Sequence, residues 1–172
     1  MTLLTEVTME NADEKVASAM AGFVEAVGAI PKPLQVMAGS PGLFMLQAAV
    51  IGYYRNHKNL EPLLLTCTRY LSAKALSYQA CIDFNGTMLK KQGMSESELA
   101  EMEEDFDKAP LAPKEMALLK FVVAGLNGSK HADEKSISEL KELGWGEDDI
   151  IDAVNQGFGM LTHGRVVEYF KA

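Results

Sequence analysis

Residues 60–91 read LEPLLLTCTRYLSAKALSYQACIDFNGTMLKK. From Leu60 to Leu76 the apolar residues fall on nearly every side of a helical wheel, the pattern of a helix buried all round at the centre of a bundle. A second helix is expected from about Ser77 to Gln92, stopped by Gly93. No glycine or proline stands between the two, so periodicity alone would draw one long helix. Cys81 lies in the second half, among polar and aromatic residues where a buried helix would ordinarily carry aliphatics.

Helical periodicity continues on both sides. Upstream, Val16, Met20, Phe23, Val24 and Val27 form one stripe at spacings of three and four. Asn11, Asp13 and Glu14 suit its start, because anions favour the positive end of a helix, and Gly28, Pro31 and Pro33 end it. Ser40 can cap the next helix, with Pro41 at a position where its missing N–H is not needed. Leu43, Leu46, Gln47, Val50 and Tyr54 then share a face. Downstream, Ser95 and Glu98 make a capping box before Leu99 and Met102. Pro113 starts a helix through Met116, Leu119, Val123 and Leu126, ended by Asn127-Gly128. Residues 129–135 read as a solvated loop. Ser136 and Glu139 form a second box, Gly144-Trp145-Gly146 turns the chain, and a last helix carries Ile150, Ile151, Val154, Phe158, Leu161 and Tyr169. Two segments echo each other, KKQGMSESELAEM and KELGWGEDDIIDAV, and read as ordinary helix–turn–helix joins. The short runs IGYY and FVV sit inside helical stripes, so no strand is expected. The fold class is all-α, with about eight helices in a single domain and residues 1–30 as an N-terminal helical arm.

The totals narrow the function. With 172 residues the chain can bury a core without metal or disulfide staples. Its 48% hydrophobic and 23% charged residues are ordinary for a globular protein. A net charge of −8 argues against nucleic acid and against an anionic membrane as partner. No apolar run is long enough to span a bilayer, and the N-terminus lacks the basic and apolar regions of a secretory signal. Two cysteines and ten methionines fit a reducing cytoplasm, where a Cys67–Cys81 disulfide is not expected.

Few residues offer chemistry. If a helix begins near Ser77, Cys81 lies in or just after its first turn, where free N–H groups favour a thiolate. Asp83 opposes this, and the plain alternative is that Cys81 is a small buried hydrophobe. Cys67, within the most apolar helix, reads as core. His57, His131 and His163 are scattered, with no metal-ligand spacing, so no metal is expected. His57 and His131 sit in polar runs and read as solvated. His163, among apolar neighbours, is the histidine that could face a pocket. The acid clusters ESELAEMEEDFD and GEDDIID read as solvated helix faces. Phosphate loops, nucleophile elbows and kinase motifs are absent, and no cofactor is expected.

Four segments in order carry a resemblance: GAIPKPLQVMAGSPGLF, residues 59–102, APLAPKEMALLKFVVAGL, and ISELKELGWGEDDIIDAVNQGFGMLTHGRVVEYF. Over roughly residues 28–170 the chain resembles the carboxymuconolactone decarboxylase/AhpD-like alkylhydroperoxidase superfamily. The resemblance implies an all-helical domain that assembles as a trimer or hexamer, with a site lined by the central helices. It also implies the break that periodicity misses, since the family's second helix begins at the thiol motif. In peroxidase members that motif is a glutamate, a Cys-x-x-Cys pair and a histidine. Laid on this chain, the glutamate falls on Thr66, the resolving cysteine on Tyr78, the attacking cysteine on Cys81 and the histidine on Asn85. Decarboxylase-type members look for the same histidine.

Only Cys81 keeps the family's residue type. Without a second thiol, a sulfenic acid on Cys81 could not be resolved locally. Thr66 and Asn85 cannot act as general bases near neutral pH, and loss of such a base typically costs about 10²- to 10⁴-fold. Three functions fit. The chain is a divergent AhpD-like protein without standard CxxC peroxidase chemistry, binding a small apolar ligand near Cys81, Tyr78, Asn85 and Thr66. Or it is a one-cysteine thiol peroxidase, an antioxidant in which His163 or His57 replaces the missing base. Or the helical oligomer is itself the functional object.

Overall fold

A computed structural model describes residues 3–126 and 132–171 of the chain. The Asn127-Gly128 helix end and residues 129–131 of the expected 129–135 loop, His131 included, lie outside the described residues, and the end of that expected loop is already helical, since α8 starts at Glu134. The rest is helical, with no strand among the described residues: α1 Glu14–Val27, α2 Lys32–Met37, α3 Pro41–Arg55, α4 Pro62–Ala75, α5 Gln79–Lys91, α6 Glu96–Glu104, a 3-10 turn at Phe106–Lys108, α7 Pro113–Leu126, α8 Glu134–Glu142 and α9 Glu147–Tyr169.

Two compact units make up the chain, one from Met1–His57 with Thr162–Ala172, the other from Lys58–Leu161. In the first, α1 begins at Asp13, whose carboxylate accepts from the N–H of Lys15 and Val16, and it ends at Gly28 in the left-handed region (φ 84°). The expected arm contributes Val16 and Met20 to a buried cluster with Leu34, Met37, Ala38 and Phe44. α2 was not legible in the pattern. Pro31 and Pro33 read as helix breakers, yet they sit at the N-cap and in the first turn, where proline is tolerated. α3 starts at Pro41 as expected, but the Ser40 side chain makes no capping bond. Of the expected shared face, Tyr54 is buried whereas Leu43, Leu46 and Val50 are exposed; outside that face, Phe44 is buried and Tyr53 is exposed.

The second unit is built on α4. Nine of its residues are buried, among them Leu64, Leu65, Cys67, Tyr70 and Leu71, which agrees with the all-round apolar pattern. Around it lie α5, through Gly86, and α7, through Leu118, Leu119, Val122 and Val123. A Cβ at Gly86 would sit 3.3 Å from Tyr70 Cε2, so the missing side chain admits that ring. α9 needs a glycine too: a Cβ at Gly157 would run into Val122 and Ser72.

Three helix ends share one device. After α4, α5 and α8, the residues Ser77 (φ 57°), Gly93 (φ 101°) and Gly144 (φ 91°) adopt the left-handed conformation. In each, that residue's N–H and the next bond back into the last turn: Ser77 to Lys74 O and Tyr78 to Ala73 O, Gly93 to Lys90 O and Met94 to Leu89 O, Gly144 to Lys141 O and Trp145 to Leu140 O. These are Schellman motifs, which satisfy orphan carbonyls and reverse the chain. Met94 and Trp145 are buried behind their glycines, so the echo between the two segments is this stop repeated. The Ser95–Glu98 box is present. The second box is one turn earlier than expected, between Asp133 and Ser136, because Asp133 is an equally good cap and reaches the Ser136 N–H at 2.8 Å.

Candidate functional site

The Ser77 turn decides where the site residues point. It ends α4 and starts α5 with Tyr78 at the N-cap, placing Cys81 in the first turn of α5. Cys81 is 7% exposed and packs in an apolar cluster with Ala73 and Met160, bordered by Leu76, Tyr78 and Ile82. Its sulfur makes no hydrogen bond or ion pair with any described residue. Burial pushes the thiol's pKa above its ordinary value, opposite to the direction expected of a helix N-terminus. Cys67, fully buried on α4, is pushed up to about 12, chiefly by burial, against a smaller opposing pull from Arg69. Both cysteines are free and buried.

Thr66 and Asn85 come together through a residue that sequence reasoning missed. Arg69, one turn beyond Thr66 on α4, donates from Nε to Asn85 Oδ1 at 2.9 Å and from Nη2 to Thr66 Oγ1 at 3.0 Å. Asn85 donates its amide to the Cys81 carbonyl at 2.8 Å. The Thr66 hydroxyl donates to Pro62 O at 2.7 Å and accepts from Gln92 Nε2 at 3.0 Å as well as from Arg69. One donor and two lone pairs are thereby used, which exhausts a hydroxyl. The guanidinium thus spans the two positions where the resemblance would place a glutamate and a histidine. Burial lowers its pKa to about 10, which still leaves it protonated at neutral pH. Proton transfer through Thr66, Arg69 and Asn85 is closed: an engaged hydroxyl, a permanent donor and an amide give no base. The signal for Arg69 was available, a lone cation on the inner face of the most buried helix, but helical spacing does not say what it faces.

The other expected residues stand as follows. Tyr78 borders the Cys81 cluster. His163 belongs to the first unit, where Nε2 lies 3.3 Å from Gln47 Oε1, and burial holds its pKa below the usual histidine value. His57, expected in solvent, is half-buried with its ring edge-on to Tyr53. Of the acid clusters, Glu103 accepts from the Tyr70 hydroxyl and from Lys74 Nζ at 2.7 Å. Asp149 corrects the expectation of a solvated face: it is 2% exposed and accepts from Asn59 and from the Gly146 N–H, pinning the start of α9. No group of three or more His, Cys, Asp or Glu close enough to hold a metal occurs among the described residues. A cleft of about 1030 Å³ opens between α7, α8 and α9, lined by Phe121, Gly125, Leu140, Leu143 and Phe158, and neither Cys81 nor Asn85 borders it.

Comparison of the whole backbone with solved structures decides the fold. An uncharacterized peroxidase-related protein from Silicibacter sp. TM1040 superposes with a TM-score of 0.78 at 17% identity, covering 98% of this chain and 89% of that one. The alkylhydroperoxidase AhpD core protein from Ralstonia eutropha JMP134, also peroxidase-related, gives 0.79 at 15%, with 98% and 89% covered. The chain has the AhpD-like fold. A third match is a cysteine-to-alanine variant of the debrominase Bmp8 in complex with 2,3,4-tribromopyrrole, with a TM-score of 0.79, 17% identity and 99% and 91% covered. No protein-family model matches the sequence, and no curated protein sequence does. The AhpD-like backbone is therefore shared at 15–17% sequence identity, as a fold carried by helix packing and turn chemistry allows.

Proposed function

We propose that the chain is an AhpD-like protein without two-cysteine alkylhydroperoxidase activity, which binds a small, largely apolar or aromatic ligand at the position around Cys81. One observation carries the reading: Arg69 bridges Thr66 and Asn85, where a peroxidatic thiol would need its proton relay, while the Cys81 sulfur has no base. A thiol with raised pKa, an apolar setting and no activator is a poor nucleophile. The same facts speak against a one-cysteine peroxidase, and the proposed substitute base, His163, already has Gln47 as its partner. The structural neighbours include both peroxidase-related proteins and a debrominase with a bound bromopyrrole, which supports treating the fold as a scaffold for small-molecule sites rather than for one reaction.

Two measurements test this. Purified protein given an organic peroxide and a dithiol should consume peroxide no faster than its Cys81→Ala variant. Robust turnover lost in that variant would overturn the reading. Ligand-observed NMR should also detect saturable binding of a small aromatic such as benzamide.

A second element of the proposal is assembly as a homo-oligomer, a trimer or hexamer, in the cytoplasm. Leu43, Leu46, Val50 and Tyr53 recur at spacings of three and four on α3 and are 40–66% exposed. A continuous apolar stripe of this kind marks a protein-contact surface, and a second copy of the chain is the occupant proposed here. No helix among the described residues is long and apolar enough to cross a membrane.

A further inference from the structure

Arg69 is a cation without a counter-ion. The chain carries 24 Asp and Glu against 16 Lys and Arg, yet no carboxylate among the described residues pairs with this guanidinium. Its two hydrogen bonds go to neutral oxygens, Asn85 Oδ1 and Thr66 Oγ1. They occupy the side formed by Nε and Nη2, and they hold the plane of the group without neutralising it. The adjacent Cys67 supplies no charge at neutral pH, its thiol being pushed up to about 12. Nη1 has no partner among the described residues. Nor is it sealed, since Ser72 Oγ is the one fully buried side-chain polar atom without a hydrogen bond among them. The end formed by Nη1 and Nη2 is thus oriented, charged and unpaired on a half-buried side chain. A partly buried charge in this state is costly unless something outside the chain completes it.

We infer that Arg69 anchors a small monocarboxylate, whose two oxygens meet the Nη1–Nη2 end of the guanidinium. The planar fork matches a carboxylate. A single cation matches a single negative charge, whereas a doubly charged phosphate would stay half uncompensated. Asn85 joins Arg69 to the Cys81 carbonyl at 2.8 Å, so the anion would belong to the site already described. The inference rests on the ligand-binding reading above and names the ligand's polar group.

Benzoate and its neutral isostere benzamide separate the two claims when titrated into the full-length protein at low salt. Benzoate should bind at least about tenfold more tightly, since a charged hydrogen-bonded pair outweighs a neutral one by that order. Arg69→Met should bring the two affinities together, and Arg69→Lys should restore part of benzoate's advantage. Equal binding of the two probes to the wild-type protein, or a preference that survives in Arg69→Met, overturns the inference and leaves the binding reading standing. Binding of neither probe overturns both. Sulfate competing as well as benzoate would overturn the carboxylate assignment. If Arg69→Met fails to fold, the wild-type ratio of the two affinities decides alone.

Discussion

At the scale of single residues, Cys81 shows how two local effects compete. The first turn of a helix stabilises a thiolate through free N–H groups, but that effect works only on charge that the surroundings let form. Cys81 is packed against Ala73, Leu76, Tyr78, Ile82 and Met160, and its pKa rises with burial. Iodoacetamide should therefore alkylate it at least about tenfold more slowly than free cysteine at neutral pH, because both thiolate fraction and access are reduced. The rate should still be climbing with pH above about 9, where a free thiol levels off. The sign follows from linkage: a thiol whose folded pKa is raised adds stability while protonated and loses it as pH rises through that value. A plateau in the alkylation rate below neutral pH would show an activated thiolate and refute this account.

Among the elements, the turn at Ser77 matters most, because it divides what periodicity reads as one long helix into two packed helices. Gly93 and Gly144 perform the same reversal with no Cβ to accommodate. Ser77 does so at φ 57°, a conformation costing a side-chain-bearing residue about 1 kcal/mol. Ser77→Gly should accordingly stabilise the protein by about 0.5–1 kcal/mol in urea unfolding, with m unchanged. Ser77→Val should cost more than that, since β-branching is the least tolerated at positive φ. A neutral or destabilising glycine would mean that the serine hydroxyl supports the turn.

For the whole molecule, the exposed stripe on α3 is what the proposed assembly rests on. Leu46→Glu places a charge in the middle of Leu43, Val50 and Tyr53, where Leu46 is 66% exposed. In the monomer this change should be nearly silent, because surface substitutions usually stay within about 0.5 kcal/mol. Sedimentation velocity should show the wild-type chain as an assembly and the variant as a smaller species with unchanged circular dichroism. A wild-type chain that stays monomeric when dilute would remove the proposal.

Sequence alone determined the helical class, the buried character of α4, the Pro41 and Pro113 starts, the Ser95–Glu98 box and the glycine stops after α5 and α8. Each of these rests on the chemistry of neighbouring residues: a 3.6-residue period, a side chain reaching a nearby N–H, a glycine at positive φ. The resemblance to AhpD-like proteins supplied the break before Cys81 that periodicity lacks, because Ser77 is not a residue type that announces a left-handed turn. Only tertiary structure decided that α2 forms through its prolines, that Asp149 turns inward, and that Arg69 reaches across to Asn85. Those outcomes depend on which groups meet between helices far apart in the chain, and a long side chain on a helix face reveals its spacing but not its partner.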